Sequence, residues 1–151
     1  MVRSTSVTAV VLAAGMIVAA PAEAAKWRGK TRQGRGVSVH TDANGVFNYA
    51  RIRYVAPCGN GTEIVSTIWF APPIDSASTT SFVDGGPWKF RIDNRKRTVV
   101  RARGTISGGL RRSGRWTGNF KVRLRVFHAG RLETTCRLRR LGWKASPVRG
   151  G

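Results

Sequence analysis

The chain has 151 residues, of which 27 are Lys or Arg and 7 are Asp or Glu, giving a formal net charge of +20. An ordinary apolar content of 41% makes disorder the wrong default, and the length allows one domain with its own core rather than several. The charge points to polyanionic partners such as nucleic acid, wall phosphate polymers, acidic polysaccharide or anionic lipid headgroups, against the plainer reading that it only keeps the protein soluble.

Residues 1–24 have three parts. Arg3 supplies a positive start, Val7 to Ala20 is mostly Ala, Val, Leu, Ile and Met, and Pro21 breaks the run before Ala22-Glu23-Ala24. Small residues at the positions a signal peptidase reads make this a secretory leader, too short and wrongly flanked for a membrane span. No cysteine follows the apolar run, so no lipoprotein anchor is expected. The expectation is a mature chain from Ala25, secreted and either extracellular or associated with the cell wall. Arg3 and Glu23 cancel, so the mature domain keeps all of the excess charge.

Export decides how the two cysteines are read. Outside the cytoplasm, Cys58 and Cys136 form a disulfide more readily than a metal or redox site, with two free thiols as the alternative. The loop such a bridge closes is long, worth roughly 4 kcal/mol in the chain-entropy account.

In chain order, Lys26 to Gln33 reads as a first strand, Gly34-Arg35-Gly36 as a turn and Val37 to Thr41 as a second strand. Asp42-Ala43-Asn44-Gly45 is a strong turn signal because Asn and Gly tolerate positive φ. In Val46 to Ala56, Val46, Ala50, Ile52 and Tyr54 share the parity of Cys58, while Phe47, Tyr49, Arg51 and Arg53 take the other. Ile64 to Phe70 carries β-branched and aromatic residues on both parities and reads as a strand covered on both faces or at a corner. Ala71 to Ser81 is the longest loop. Phe82 and Val83 pair briefly, Asp84-Gly85-Gly86-Pro87 turns, and Trp88, Phe90 and Ile92 alternate with Lys89 and Arg91.

Val99 to Ser107 places Val100, Ala102 and Ile106 opposite Arg101 and Arg103. The clearest stretch is Arg115 to Phe127. Trp116, Phe120, Val122, Leu124 and Val126 fall on one parity, and Lys121, Arg123 and Arg125 on the other. Successive strand residues point to opposite faces, so this is a half-buried antiparallel strand with a cationic outer side. Arg131 to Leu141 follows, with Leu132, Cys136 and Leu138 opposing Arg137 and Arg139, and Trp143 precedes a Pro- and Gly-rich tail.

About eight to ten short strands at this spacing, with no helical period, predict an all-β fold: one antiparallel sandwich or barrel stapled by the disulfide. The predicted boundaries are a leader at 1–24, a β domain at 25–145 and a flexible tail at 146–151. Both cysteines sit on apolar parities, so the bridge is expected to run through the core. Arg101, Arg103, Lys121, Arg123, Arg125, Arg137 and Arg139 all point outward from three successive segments. If those segments form a meander, their basic rows lie about 5 Å apart. Like charges opposite one another destabilise a sheet, so the clustering calls for a ligand or for simple tolerance in a stapled fold.

These residues also resemble a type of short exported protein common in high-GC Gram-positive bacteria. That group has a Trp-x-Gly-Lys-Thr-x-Gln-Gly start, a Tyr-x-Ala-x-Cys-like segment, a Gly-rich strand, and a closing Thr-Cys followed by Trp-x-Ala. The counterparts here are Trp27 to Gly34, Tyr54 to Cys58 (reading Tyr-Val-Ala-Pro-Cys), Arg103 to Gly108, Thr135-Cys136 and Trp143-Lys144-Ala145. The resemblance implies a secreted β domain and assigns no catalytic residue.

No constellation in the sequence proposes catalysis. His40 and His128 are the only histidines and have no acid beside them, so a triad would need long-range assembly. The acids sit mostly in turns, where aspartates cap their own backbone. No Cys or His spacing fits zinc and no Asp-rich loop fits calcium, so neither metal nor other cofactor is expected. Trp27, Trp116 and Phe120 read as core. Phe47, Tyr49, Trp69 and Phe127 are the candidates for exposure, where rings beside arginine suit sugars or unstacked bases. The resulting expectation is a non-catalytic module binding a wall phosphate polymer, acidic polysaccharide or nucleic acid through its Arg-rich face. The alternative is a small structural or protein-interaction domain with no specific polyanion.

Overall fold

A computed structural model of the chain describes residues 24–93 and 97–148. The leader expected at 1–24 lies outside the described residues apart from Ala24. The described chain forms nine strands: β1 (Lys26–Thr31), β2 (Gly36–Thr41), β3 (Phe47–Pro57), β4 (Glu63–Phe70), β5 (Ser76–Ala77), β6 (Ser81–Asp93), β7 (Thr98–Leu110), β8 (Trp116–His128) and β9 (Arg131–Pro147). They make one antiparallel sheet in the order β4-β3-β2-β1-β9-β8-β7-β6-β5, curled into a half-barrel. The all-β expectation therefore resolves to the barrel alternative. There is one sheet, and its two arms wrap a shared core.

The curl follows from alternation. On β8, Trp116, Phe120, Val122, Leu124 and Val126 are buried while Lys121, Arg123 and Arg125 are exposed. β3 repeats the pattern with Ala50, Ile52, Tyr54 and Ala56 inside and Arg51 and Arg53 outside. With most of the long strands apolar on one face only, the sheet buries that face by bending over itself. Edge strand β4, expected to be covered on both faces or at a corner, leaves Val65 and Trp69 exposed on its outer side. Aromatic rings hold the arms together. Phe120 lies 5.0 Å from Tyr54 and 6.1 Å from Phe70, joining β8 to β3 and β4 across the interior. Phe47 stacks on Phe82 at 3.5 Å and both rings meet Trp116. Trp27 meets Trp116 edge-on and donates its indole N–H to the Gly114 carbonyl at 3.0 Å.

The barrel is not closed. β4 has no partner beyond β3, and β6 has none on its outer side past the two residues that pair with β5. Both strands line a groove of about 530 Å³ along this seam, with Ile68, Phe70, Trp88 and Phe90 on its walls.

The disulfide joins Cys58, just after β3, to Cys136 in β9. Cys136 is fully buried, as its parity predicts. The bond ties the β3–β4 hairpin to β9 rather than one sheet to another. The Gly59 N–H, donating to the Thr135 carbonyl at 3.0 Å, supports the same junction.

Several segments differ from the sequence expectation. Asp84 to Pro87 does not turn, because β6 runs unbroken through it. Pro87 lies where that strand has no outer partner, so its missing N–H leaves no ladder bond unmade. A Cβ on Gly85 would come within 2.6 Å of the Gly104 carbonyl oxygen, which explains why glycine stands in a strand there. β7 likewise continues through Gly108 and Gly109. The Phe82 ring and the Trp143 indole together occupy the space a Gly108 side chain would need, each within 2.8 Å of the Cβ position. β9 runs on to Pro147, paired with β1 as far as Trp27. Ser146 and Pro147 thus belong to the sheet, whereas the sequence places them in the tail.

Phe47 is buried as well, although its parity matches Arg51 and Arg53. The ladder pairs Thr41 with Phe47 and His40 with Tyr49, leaving Asn48 as an extra residue. This bulge reverses the facing of everything before it. No helix among the described residues is long and apolar enough to cross a membrane.

Candidate polyanion-binding face

The three basic segments are consecutive neighbours in the sheet, β7, β8 and β9, so the predicted meander forms. Arg101, Arg103, Lys121, Arg123, Arg125, Arg137 and Arg139 are all exposed on its outer side. Register brings them into rows. Arg103 pairs with Arg123, and Arg123 with Arg137. In the next row Arg101 pairs with Arg125, and Lys89 of β6 pairs with Arg101. A shallow groove of about 460 Å³ lies among Arg103, Lys121, Arg123, Arg137 and Arg139. Because the apolar side fills the inside of the curl, this face is convex. It suits a polymer laid along it better than a small molecule to be enclosed.

Two local features build the face further. Phe120 pairs with Leu141 and Val122 with Leu138, so Lys121 stands opposite both Arg139 and Arg140. The bulge exposes both arginines, and the Arg140 Nε donates to Asn119 Oδ1 at 2.8 Å. At the other end the guanidinium groups of Arg101 and Arg125 lie 4.9 and 5.4 Å from the Phe127 ring centroid. One ring face or edge thus accommodates two opposed cations through the attraction between positive charge and the π-system.

The set of seven chosen from the sequence leaves out Lys89 and Arg140. Lys89 shows the same signal as the chosen residues, an outward cation between Trp88 and Phe90, but lies on a fourth strand whose neighbour is known only from the register. Arg140 breaks alternation and is reached only through the bulge. The basic character also continues beyond this arm, with Lys26, Arg28 and Lys30 on β1 and Arg51 and Arg53 on β3.

The remaining titratable groups are separate. Asp42 caps its turn by accepting from the Asn44 and Val46 N–H groups at 2.8 and 3.0 Å. Asp84 is buried beside the seam, and its Oδ1 accepts from the Gly85 N–H at 2.9 Å. Burial raises its carboxyl above the usual range, against the Gly85 hydrogen bond, and the charge of nearby Asp75 adds to the rise. His40 lies against Tyr49, and burial together with Lys26 and Arg28 lowers its pKa. His128 Nδ1 is 3.2 Å from the Thr98 hydroxyl. No group of three or more His, Cys, Asp or Glu residues that could hold a metal occurs among the described residues.

The rows carry an energetic consequence. Arg123 is flanked on both sides by arginine, and such directly opposed like charges are unfavourable. Arg123→Thr keeps a residue suited to strands and removes both repulsions. It is expected to raise the unfolding midpoint by roughly 1–5 °C at low ionic strength. The gain should shrink as salt screens the neighbours. Thermal unfolding of both proteins across a salt series checks this; an unaltered or lowered midpoint at low salt would show that the row carries no repulsion.

No protein-family model, curated protein or solved structure matches this chain.

Proposed function

We propose that the protein is a secreted, non-catalytic binding domain that holds an extracellular or cell-wall polyanion on the outer face of β6 to β9. One observation carries the reading: Arg103, Arg123 and Arg137 stand in register on three adjacent strands, at a cost in self-repulsion that a bound anion would remove. Six of the seven sequence-selected cations are arginine. The planar guanidinium engages a phosphate, sulfate or carboxylate in two parallel hydrogen bonds, where lysine offers a point charge. The leader and the disulfide support export.

A polymer that meets six or seven of these groups displaces its counterions. Affinity should then fall by about three orders of magnitude or more between roughly 50 and 200 mM salt. Salt dependence alone does not distinguish a site from net charge, so the test holds charge constant. Reversing Arg103, Arg123 and Arg137 to Glu is expected to abolish binding of long-chain polyphosphate. Reversing Arg35, Arg112 and Arg115, which lie in the connections between strands, changes net charge equally and should weaken binding much less. Equal losses from both triples would leave only net charge at work and favour the structural or protein-interaction alternative.

A further inference from the structure

A second basic surface lies on the other arm of the half-barrel and has a different chemistry. The outer face of β2 is low, with Gly36 and Ser38 followed by His40. Cations rise on both sides of it. Ser38 pairs with Arg28 of β1 on one side and Arg51 of β3 on the other, and Gly36 pairs with Lys30. The result is a trough of about 570 Å³ that also reaches Lys26 and Arg53. A Cβ on Gly36 would meet nothing within 4 Å, so its floor is open. Its two walls are two strand spacings apart, roughly 10 Å, which is wide enough for a single extended chain of anions.

At one end the trough runs onto a ladder of rings across three strands. His40 lies 4.9 Å from Tyr49, and Tyr49 lies 5.4 Å from Trp69. The Arg51 guanidinium sits 5.3 Å from the Trp69 ring centroid. Trp69 is 60% exposed, and no part of the core requires it. Burial and the charges of Lys26 and Arg28 lower the imidazole pKa, which favours the uncharged ring at the end of the ladder.

We propose that this trough and its ring ladder form a binding site for single-stranded nucleic acid, with phosphates between the walls of β1 and β3 and unstacked bases on Tyr49 and Trp69. A nucleotide strand supplies one negative charge and one flat ring per repeat, which matches cations along the walls and π-faces at the end. A duplex hides its bases inside the stack. A neutral glycan has no use for the four cations that line the trough. The site shares no residue with the β6 to β9 face and does not depend on it.

The test compares two oligomers of equal length and charge, oligodeoxythymidylate and its abasic phosphodiester counterpart, bound to the whole domain at fixed salt. The thymidylate oligomer is expected to bind about tenfold tighter or more, since stacking on an aromatic side chain contributes that much per base. It should also quench the emission of the exposed Trp69. Trp69→Ala should reduce the base preference severalfold, and Trp69→Ala combined with Tyr49→Ala should bring the affinity to the abasic level, with abasic binding unchanged in both. Reversal of Arg103, Arg123 and Arg137 should preserve the preference for bases. Equal binding of the two oligomers, or a base preference that survives the double variant, would overturn the assignment. So would an oligouronate of matched charge that competes as well as the thymidylate oligomer, because the site would then recognise acidic sugar.

Discussion

Phe120→Ala should destabilise the fold by about 3–5 kcal/mol, the sum of lost transfer energy and the cavity left where a large ring was removed. Phe120 is 1% exposed, and its ring joins three strands. Contacts with Tyr54 and Phe70 connect β8 on one arm to β3 and β4 on the other. An open half-barrel lacks the hydrogen bonds that would close its seam, so these ring contacts carry much of the attachment between arms. Lys121→Ala, one residue along, should cost less than about 0.5 kcal/mol because its side chain leaves the sheet for solvent. Equilibrium denaturation of the two variants compares them directly. Similar losses would contradict the facing of β8 on which both the core and the cationic rows depend.

Replacing both cysteines with alanine should cost roughly 4 kcal/mol. The bridge spans a sequence separation of 78 residues and restricts the unfolded chain accordingly. It also fastens the β3–β4 hairpin, an outermost element of the sheet, to β9. Domains of this kind have total stabilities of about 5–15 kcal/mol, so the double variant should be marginal, and reduction of the parent protein should reproduce most of the loss. Urea unfolding of oxidised, reduced and doubly substituted protein measures it. A loss below about 1 kcal/mol would mean that the core and the Gly59–Thr135 hydrogen bond already hold the hairpin, leaving the covalent link little to add.

Much of this architecture is legible in the chain wherever alternation is strict. The facing of Trp116 through Val126, the burial of Cys136 and the outward direction of all seven basic residues follow from a period of two. That period also limits what can be read. It assigns a residue to a side of its own strand but says nothing of the strand's neighbours, so a sandwich and a half-barrel look alike. It fails at bulges: Asn48 turns Phe47 inward, and the irregularity opposite Lys121 brings Arg140 onto the basic face. It fails also where glycine and proline serve packing rather than turning. Gly85 accommodates the Gly104 carbonyl, and Gly108 makes room for Trp143, a residue far along the chain. The aromatic ladder of His40, Tyr49 and Trp69 depends on pairing across three strands, so the sequence shows its members and not their contact.

The two basic surfaces divide the outer face by chemistry. On β6 to β9 the groups are almost all arginine, arranged in rows with Phe127 between two of them. On β1 to β4 lysine and arginine border a trough that ends on rings. A protein whose charge served only solubility would have no need to set arginines directly opposite one another, since the same residues spread over the surface would repel less.

The most direct test of the arginine face is footprinting with an arginine-selective dicarbonyl reagent, read by peptide mass spectrometry with and without long-chain polyphosphate. Bound polymer should protect Arg103, Arg123 and Arg137 together, while Arg35, Arg112 and Arg115 react as they do in the free protein. Protection spread evenly over both sets would contradict a site on this face and leave net charge as the sole cause of binding.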